Sequence, residues 1–270
     1  MNRLRRVDRW IATQPAARVP GALVVDLGYG ASATTSVELH GRLSRSNARL
    51  EVLGLEIDPA RVAGATAELA LARTAGPARY GRAIAADARV SFARGGFEVP
   101  SARRPHVIRA MNVLRQYDEH EVAGHWATML GRLAPGGLLV EGTSNEVGRV
   151  CSWVALDASG HRAPAPRSLT IALKVDELGS DAMPAPSVMA ERLPKALIHR
   201  NVPGERVHAL LRELDRAWAS DAPLAEFGAV QRWQSTVRRM RHAGWPVMAP
   251  HARARHGELT VAWHAVAPRA

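Results

Sequence analysis

The chain has little cysteine and no long apolar run, and both absences exclude classes of protein. Its 270 residues include one cysteine, Cys151, so an internal disulfide framework is excluded and a reducing compartment is favoured. No Cys and His spacing near Cys151 resembles a zinc site, and we predict no bound metal. The apolar segment of a signal peptide is missing, as is any apolar stretch long enough to cross a bilayer. We therefore expect a cytoplasmic protein without a membrane partner.

Lysine is also scarce, although the chain is strongly basic. Only two of the 36 basic residues are lysines, so 34 arginines stand beside 25 acidic residues, with a formal net charge of +11. Such a charge can attract a polyanion, and four arginines crowd into residues 3–9. The other arginines are spread along the chain, and no RNP, zinc-finger or helix-turn-helix pattern accompanies them. A nucleic-acid partner is thus an open alternative that the sequence does not favour.

Short apolar runs alternate with helical patterns over the first 145 residues. Alternation of this kind is typical of βαβ units that build a parallel sheet. The sequence therefore predicts an α/β fold of the Rossmann-like, doubly wound class. The predicted strands are residues 23–27, 50–56, 82–86, 106–112 and 137–141.

The pattern changes after Gly142. Two strand-like runs at 150–156 and 168–175 flank a turn, which predicts a hairpin, and a last strand is expected at 258–266. We interpret the chain as one domain over residues 1–270. Its predicted parts are a cofactor-binding half at about 20–145, an inserted acceptor-side cover at about 146–226, and a final helix and strand at 227–270.

A glycine loop, Gly28-Tyr29-Gly30, follows the first predicted strand. Ligands of open α/β sheets bind at the carboxyl ends of the strands, and glycine lets the backbone approach a ligand closely. Glu56 closes the second strand, where a carboxylate can accept both hydroxyls of a ribose. Asp87 closes the third predicted strand, where it can accept the amino group of adenine. Together these residues predict a nucleoside site.

Two cofactor classes fit such a loop. The segment from Gly28 to Ala33 matches the G-x-G-x-x-A pattern of dinucleotide sites. Asp26 argues against a dinucleotide, because a carboxylate two residues before the first glycine would repel a diphosphate and would suit an ammonium group. A dinucleotide oxidoreductase is therefore the disfavoured alternative.

Over about residues 20–145 the chain resembles the class I S-adenosylmethionine-dependent methyltransferases. Five segments carry the resemblance, in the order Val25–Gly30, Gly54–Pro59, Ala86–Ala88, Met111–Leu114 and Leu133–Glu141. The resemblance implies a mostly parallel, seven-stranded sheet with a reversed last strand and a C-terminal elaboration. It also implies S-adenosyl-L-methionine as the cofactor.

The resemblance further implies which residues bind that cofactor. The glycine loop would pass under the methionine part, with Asp26 positioning the loop and the amino group. Glu56 would bind the ribose and Ile57 would lie against the adenine, whose edge would meet residues 87 and 88. The implied cofactor-binding residues are Asp26, Gly28, Tyr29, Gly30, Glu56, Ile57, Asp87, Ala88 and Asn112.

Catalytic residues are harder to predict, because methyl transfer needs alignment above all and a base only for a weakly nucleophilic acceptor. Glu141 and Glu146 are weak candidates for such a base, since they follow the fifth predicted strand. We expect a small-molecule acceptor, methylated at oxygen or nitrogen. Two alternatives stay open: an RNA methyltransferase that uses the arginine-rich N-terminus, and a catalytically silent cofactor-binding member of the fold.

Overall fold

The computed structural model describes residues 3–75, 88–158, 166–248 and 251–269. The chain forms two compact units, and the division between them falls within two strands, at residues 141–142 and 155–156. The first unit comprises Met1–Glu141, Glu146–Gly148 and Leu156–Pro164, and the second comprises Gly142–Asn145, Arg149–Ala155 and Ala165–Ala270. The predicted cofactor-binding half ends close to this division, whereas the interpretation as one domain stays a prediction.

Parallel strands form the sheet of the first unit. Strand β1 pairs in parallel with β2 and β4, and β2 pairs in parallel with β3. The amide of Leu138 donates to His106 O over 2.9 Å, which places the start of β5 beside the start of β4. The strand order in this unit is β3-β2-β1-β4-β5. The strands are β1 Leu23–Leu27, β2 Glu51–Glu56, β3 Val90–Arg94, β4 Val107–Met111 and β5 Leu138–Ser144.

Five helices belong to the first unit. Helix α4 begins where the sequence predicts, because Asp58 Oδ1 accepts the Ala60 amide over 2.8 Å and Pro59 occupies the first helical position. Helix α1 packs against α3. The helices are α1 Arg5–Ile11, α2 Pro15–Arg18, α3 Thr34–Leu43, α4 Pro59–Ala75 and α5 Val122–Arg132.

On the side away from β1, β2 pairs with a strand at residues 90–94, a segment for which the sequence predicts no strand. Residues 82–86, the predicted third strand, lie outside the described residues, as does Asp87. Strand β3 starts at Val90, which pairs with Val52, and ends at Arg94, which pairs with Glu56. Because β3 is the edge strand and only its first residue is buried, its apolar pattern is weak.

The second unit continues with antiparallel strands. The amide of Asn145 donates to Val150 O over 2.9 Å and closes the turn from β5 into β6. The hairpin of β6 and β7 is confirmed, and β7 pairs antiparallel with β8. The strands are β6 Val150–Asp157, β7 Ser168–Leu173 and β8 Glu258–Ala262, in the order β5-β6-β7-β8. The Rossmann-like α/β class is thus confirmed. The described residues contain eight strands in place of the predicted seven, and the antiparallel pairings are those of β6 with β7 and of β7 with β8.

Helices α7 and α8 pack on each other in the second unit. Arg239 donates to Asp221 Oδ1 from Nε and Nη2, over 3.2 and 2.6 Å, and the Arg232 guanidinium lies 3.7 Å from the centre of the Trp218 ring. The helices of this unit are α6 Lys195–Ile198, α7 Arg206–Ser220, α8 Ala229–His242 and α9 His251–Ala254. Across the described ranges, no helix has the length and hydropathy of a membrane-spanning segment.

Gly54 in the middle of β2 gives a test of the packing beneath the glycine loop. A Cβ there would lie 2.5 Å from the Phe92 ring and 2.9 Å from the Tyr29 ring. We expect Gly54→Ala to lower the free energy of unfolding by about 1–3 kcal/mol, because both rings would have to move. Urea unfolding followed by circular dichroism measures this change.

The matched control is Gly41→Ala in α3, where no described atom lies within 4 Å of the new Cβ. This change should raise the free energy of unfolding by up to about 1 kcal/mol, since alanine favours the helix. Equal stabilities of Gly54→Ala and the unsubstituted protein would show that the rings do not pack as described.

Candidate functional site

The glycine loop lies at the carboxyl end of β1, and its two glycines have different surroundings. Both have positive φ, +66° at Gly28 and +90° at Gly30. A Cβ at Gly28 would lie 2.6 Å from Cγ2 of Val113, the second residue after β4. No described atom lies within 4 Å of a Cβ built at Gly30. Gly28 is therefore required by packing, whereas Gly30 leaves room for a ligand.

Tyr29, between the glycines, turns into the protein. Its ring lies 4.9 Å from that of Phe92, and its hydroxyl donates to Arg61 O over 3.4 Å. Burial, together with the nearby carboxylates of Glu56 and Asp26, raises the pKa of Tyr29 to about 12. The buried side chain of Tyr29 thus supports the loop from below.

Glu56, at the carboxyl end of β2, lies against the loop as predicted from its position. Its Oε2 accepts the amide of Gly30 over 3.3 Å and its Oε1 accepts the amide of Ile57 over 2.9 Å. Arg61 Nη1 lies 3.7 Å from Oε2, so the charge is only partly balanced. The next side chain, Ile57, is 60% exposed, which is unusual for a large apolar residue. A buried carboxylate thus adjoins an uncovered apolar surface.

Asp26 has a different environment from the one predicted. Its carboxylate is buried and accepts hydrogen bonds from Thr35 Oγ1 over 3.1 Å and from Ser36 Oγ over 2.7 Å. Arg109 donates to it as well, from Nε over 3.0 Å and from Nη2 over 2.6 Å. Two carboxylate oxygens have about four lone-pair positions. Asp26 therefore holds the loop through protein contacts, and its contact with a ligand ammonium stays a prediction.

Arg109 and Asp8, which the sequence did not single out, complete this buried charge cluster. Arg109, on β4, is fully buried, and its Nη1 donates to Asp8 of α1. Asp26 and Asp8 together raise the pKa of Arg109, although burial alone would lower it. Burial raises the pKa of Asp8, and Arg109 and Arg42 offset part of that effect. The sequence carried one signal of this cluster, the charged Arg109 inside the apolar run of β4. A charge in a buried strand needs a partner of opposite charge.

The start of helix α3 bears on the choice between the two cofactor classes. A dinucleotide places its pyrophosphate at this helix N-terminus. Here the amide of Ala33 donates to Glu68 Oε2 of α4 over 3.0 Å, and the amide of Thr34 faces Ser32 Oγ at 3.4 Å. A carboxylate already occupies the place of the phosphate. The dinucleotide thus stays disfavoured, for a reason other than the predicted one.

The loop after β3 contributes residues that the sequence did not assign to the site. Gly95, Gly96, Phe97 and Glu98 follow the carboxyl end of β3, and a Cβ at Gly96 would lie 3.5 Å from Cγ2 of Ile57 and 2.9 Å from Oε2 of Glu98. Ala88, in contrast, precedes β3 and lies at its amino end, away from Glu56. The adenine contact at Ala88 stays a prediction, and the position of Ala88 two residues before β3 does not favour it.

Two residues near these strand ends have a strained backbone. Asn112, directly after β4, has φ +64°, and the buried Val99 has φ +44°. Left-handed φ is uncommon outside glycine and is a marked outlier for a β-branched residue. Such strain concentrates at functional sites, which is in keeping with the predicted position of Asn112 beside the loop.

An aromatic cluster stands next to Glu98 along the chain. The ring of Phe97 stacks on His125 of α5 with centroids 4.0 Å apart, and Tyr117 lies 4.8 Å from His125. His125 Nε2 is buried without a hydrogen-bond partner among the described residues. The cluster anchors the loop after β3 to α5.

The two predicted base candidates differ in environment. Glu141, within β5, is 1% exposed, and its Oε2 has no hydrogen-bond partner in the described part of the chain. Burial raises the pKa of Glu141 to about 8, and the indole of Trp126 offsets only part of that effect. Glu146 is exposed on the turn between β5 and β6. Glu141 therefore holds its proton at neutral pH, and Glu146 is open to solvent.

Within residues 3–75, 88–158, 166–248 and 251–269, no three His, Cys, Asp or Glu side chains come together as a metal site. Cys151 is a buried free thiol in β6.

No protein-family model matches this sequence, and no curated protein matches it. Solved structures match about half of the chain. The magnesium protoporphyrin IX methyltransferase of Synechocystis, crystallised with SAH, is 18% identical with a TM-score of 0.38, over 52% of this chain and 53% of that one. A putative O-methyltransferase of Nostoc punctiforme is 16% identical with a TM-score of 0.35, over 50% and 36% of the two chains.

Human N-acetylserotonin methyltransferase in complex with SAM is 14% identical with a TM-score of 0.36, over 52% of this chain and 33% of its own. Another match, at 18% identity and a TM-score of 0.36, is described as a cyclase. The chain thus spans between a third and about half of the length of these proteins.

The buried carboxyl of Glu141 predicts a pH-dependent stability. Its pKa is about 8 in the folded protein and 4.5 ordinarily, so the folded state keeps a proton that the unfolded state releases between these values. Folding stability should therefore fall as pH rises from 4.5 to 8. At pH 9 we expect the free energy of unfolding of Glu141→Gln to exceed that of the unsubstituted protein by about 2–4 kcal/mol. At pH 4 the two free energies should be nearly equal.

Glu146→Gln is the control for this titration, because the exposed carboxyl should show no such difference between pH 4 and pH 9. Denaturant unfolding at both pH values gives the comparison. If Glu141→Gln raised the free energy of unfolding equally at pH 4 and pH 9, the Glu141 carboxyl would not be buried and protonated as described.

Proposed function

We propose that this chain binds S-adenosyl-L-methionine at the carboxyl ends of β1 and β2 and transfers its methyl group to a small molecule, at oxygen or nitrogen. One observation carries the proposal. The buried carboxylate of Glu56 lies 3.3 Å from the amide of Gly30, in a loop that has room for a ligand. The sequence resemblance supports it independently.

The charge of the loop's surroundings supports a cationic ligand. Glu56 borders the loop, and Glu68 occupies the start of α3. Arg61 approaches Glu56 to 3.7 Å and Asp58 to 3.5 Å, which leaves the group acidic overall. S-adenosylmethionine carries a sulfonium and an ammonium and lacks phosphate, so it suits this environment. A dinucleotide would bring its two phosphates against these carboxylates.

Each predicted residue receives a role within this proposal. The backbone at Gly30 lets the cofactor approach, and Glu56 accepts the ribose hydroxyls. The exposed face of Ile57 packs on the adenine, whose edge meets the loop after β3. Tyr29 and Asp26 act from beneath the loop, and Asn112 lies next to Val113, which packs on Gly28.

When bound, S-adenosylmethionine supplies an electrophilic methyl group and its own leaving group. The chain's part is to align the acceptor with that methyl group and to exclude water. Because burial raises its pKa to about 8, Glu141 is mostly protonated at neutral pH, and only a minor fraction is ionised and able to act as a base. Glu146 is the better candidate where an acceptor has to lose a proton. We also place the protein in the cytoplasm within this proposal, in keeping with the free thiol of Cys151.

Calorimetric titration tests the cofactor. We expect the purified protein to bind S-adenosylmethionine and S-adenosylhomocysteine in the micromolar range, and Glu56→Gln to bind them at least tenfold more weakly, about 1.4 kcal/mol. The loss follows because an amide accepts the ribose hydroxyls less well than a carboxylate.

Glu51→Gln is the matched control, since Glu51 lies at the other end of β2 and pairs with Arg89 and Arg103. It should change the affinity less than twofold. Binding of NAD alone, or of none of the three, would overturn the proposal. Binding without turnover in a screen of small acceptors would favour the catalytically silent alternative.

An RNA acceptor is the second candidate, and the surface of α1 is the observation that favours it. Arg5 and Arg9 are exposed on this helix, while Arg6 Nε donates to Gly148 O over 3.4 Å. Because the rest of α1 faces inward, only part of the basic run is available for a polyanion.

Salt dependence separates the two acceptors. We expect single-stranded RNA to bind no better than non-specifically, at about 10⁻⁴–10⁻⁶ M. Arg5→Gln with Arg9→Gln should leave turnover of a small acceptor unchanged. Fluorescence anisotropy at 50 and 200 mM salt measures the RNA affinity, with Arg238→Gln on α8 as the control. Tight binding that weakens steeply with salt and in the double variant would favour RNA instead.

A further inference from the structure

We propose that Arg109 is a positioning residue that ties helix α1 to the glycine loop, so that cofactor affinity depends on Asp8 of α1. The binding readout of this inference rests on the proposed function. The hydrogen-exchange readout at Gly28 and Gly30 is independent of the proposed function.

The geometry of Arg109 supports the proposal. Its guanidinium is fully buried and binds Asp26 with a two-point contact, Nε to Oδ1 over 3.0 Å and Nη2 to Oδ2 over 2.6 Å. Nη2 also donates to Thr35 O over 3.3 Å, and Nη1 donates to Asp8. A planar group held at both ends by carboxylates has little freedom to rotate.

Asp8 provides the outer end of this connection. It is fully buried on α1 and accepts from Arg109 and from Arg42 of α3. Arg42 also pairs with Glu38 over 3.2 Å. Helix α1 is thus tied to α3 and, through Arg109, to the central strands β1 and β4.

Asp26 connects Arg109 to the glycine loop. It stands two residues before Gly28, and it also binds the hydroxyls of Thr35 and Ser36 at the start of α3. One carboxylate therefore fixes both ends of the segment 27–34. If Arg109 moved, Asp26 would lose two of its four hydrogen bonds and the loop between these ends would loosen.

A buried ion pair is weak evidence of added stability, and in some proteins its role is to fix one arrangement of the chain. Apolar residues of similar size often stabilise a protein as well as a buried ion pair does, whereas charged partners accept only a few arrangements. The position of the cluster directly beneath the glycine loop therefore points to positioning.

The test uses Asp8→Asn in the full chain, which keeps the shape of the side chain and removes its charge. Calorimetry should show at least tenfold weaker binding of S-adenosylhomocysteine. Native-state hydrogen exchange should show at least tenfold faster exchange at the amides of Gly28 and Gly30, which are bound to Leu55 O and Glu56 Oε2.

Glu258→Gln is the control, because Glu258, like Asp8, is a buried carboxylate paired with arginine, although it has one arginine partner where Asp8 has two. Arg253 donates to it over 2.7 and 2.6 Å in the second unit. This variant should change both readouts less than twofold. If Asp8→Asn does not fold, Asp8→Asn with Arg42→Gln removes one charge of each sign and should show the same losses.

Wild-type exchange at Gly28 and Gly30 with wild-type affinity, in whichever of these variants folds, would overturn the proposal. Equal losses in Glu258→Gln would also overturn it, because they would show a general effect of destabilisation. If the unsubstituted protein binds neither S-adenosylmethionine nor S-adenosylhomocysteine, the proposed function fails, and the exchange rates alone decide this inference.

Discussion

The neutralisation of Asp26 by Arg109 is the interaction on which the candidate site depends. Both side chains are buried, and an unpaired charge in either place would be costly. The two residues are register partners on β1 and β4, so the pairing of the strands itself brings the charges together. A slip of one residue would turn Arg109 to the opposite face of the sheet. The register of the central strands, the glycine loop and helix α1 thus share one electrostatic constraint.

Packing sets a second constraint on the same loop. Gly28 has no room for a side chain beside Val113, and Tyr29 fills the space above Gly54 together with Phe92. A Cβ at Gly30, in contrast, would have no described atom within 4 Å. The loop therefore has few alternative conformations on its inner side while its outer side stays accessible, which is what close approach of a ligand requires.

Much of this arrangement could be predicted from the sequence, and the failures have physical causes. Buried parallel strands such as β1 are continuously apolar and are easily recognised, whereas the edge strand β3 is half exposed and was missed. The position of Glu56 at the end of β2 is predictable because it ends an apolar run, whereas its role in binding stays a prediction. The partner of Asp26 was not predictable, since Arg109 is 83 residues away and only the fold brings the two together.

The pairing of Asp26 with Arg109 also bears on which ligand the site favours. The sequence disfavours a dinucleotide because of the charge on Asp26, but Arg109 balances that charge inside the protein. What disfavours a phosphate in the structure is Glu68, which accepts the amide of Ala33, the residue directly before α3. The overall charge of +11 points the other way, towards an anionic partner. Because unpaired surface charges are screened beyond about 10 Å, the carboxylates next to the loop outweigh distant arginines, and the site itself favours a cation.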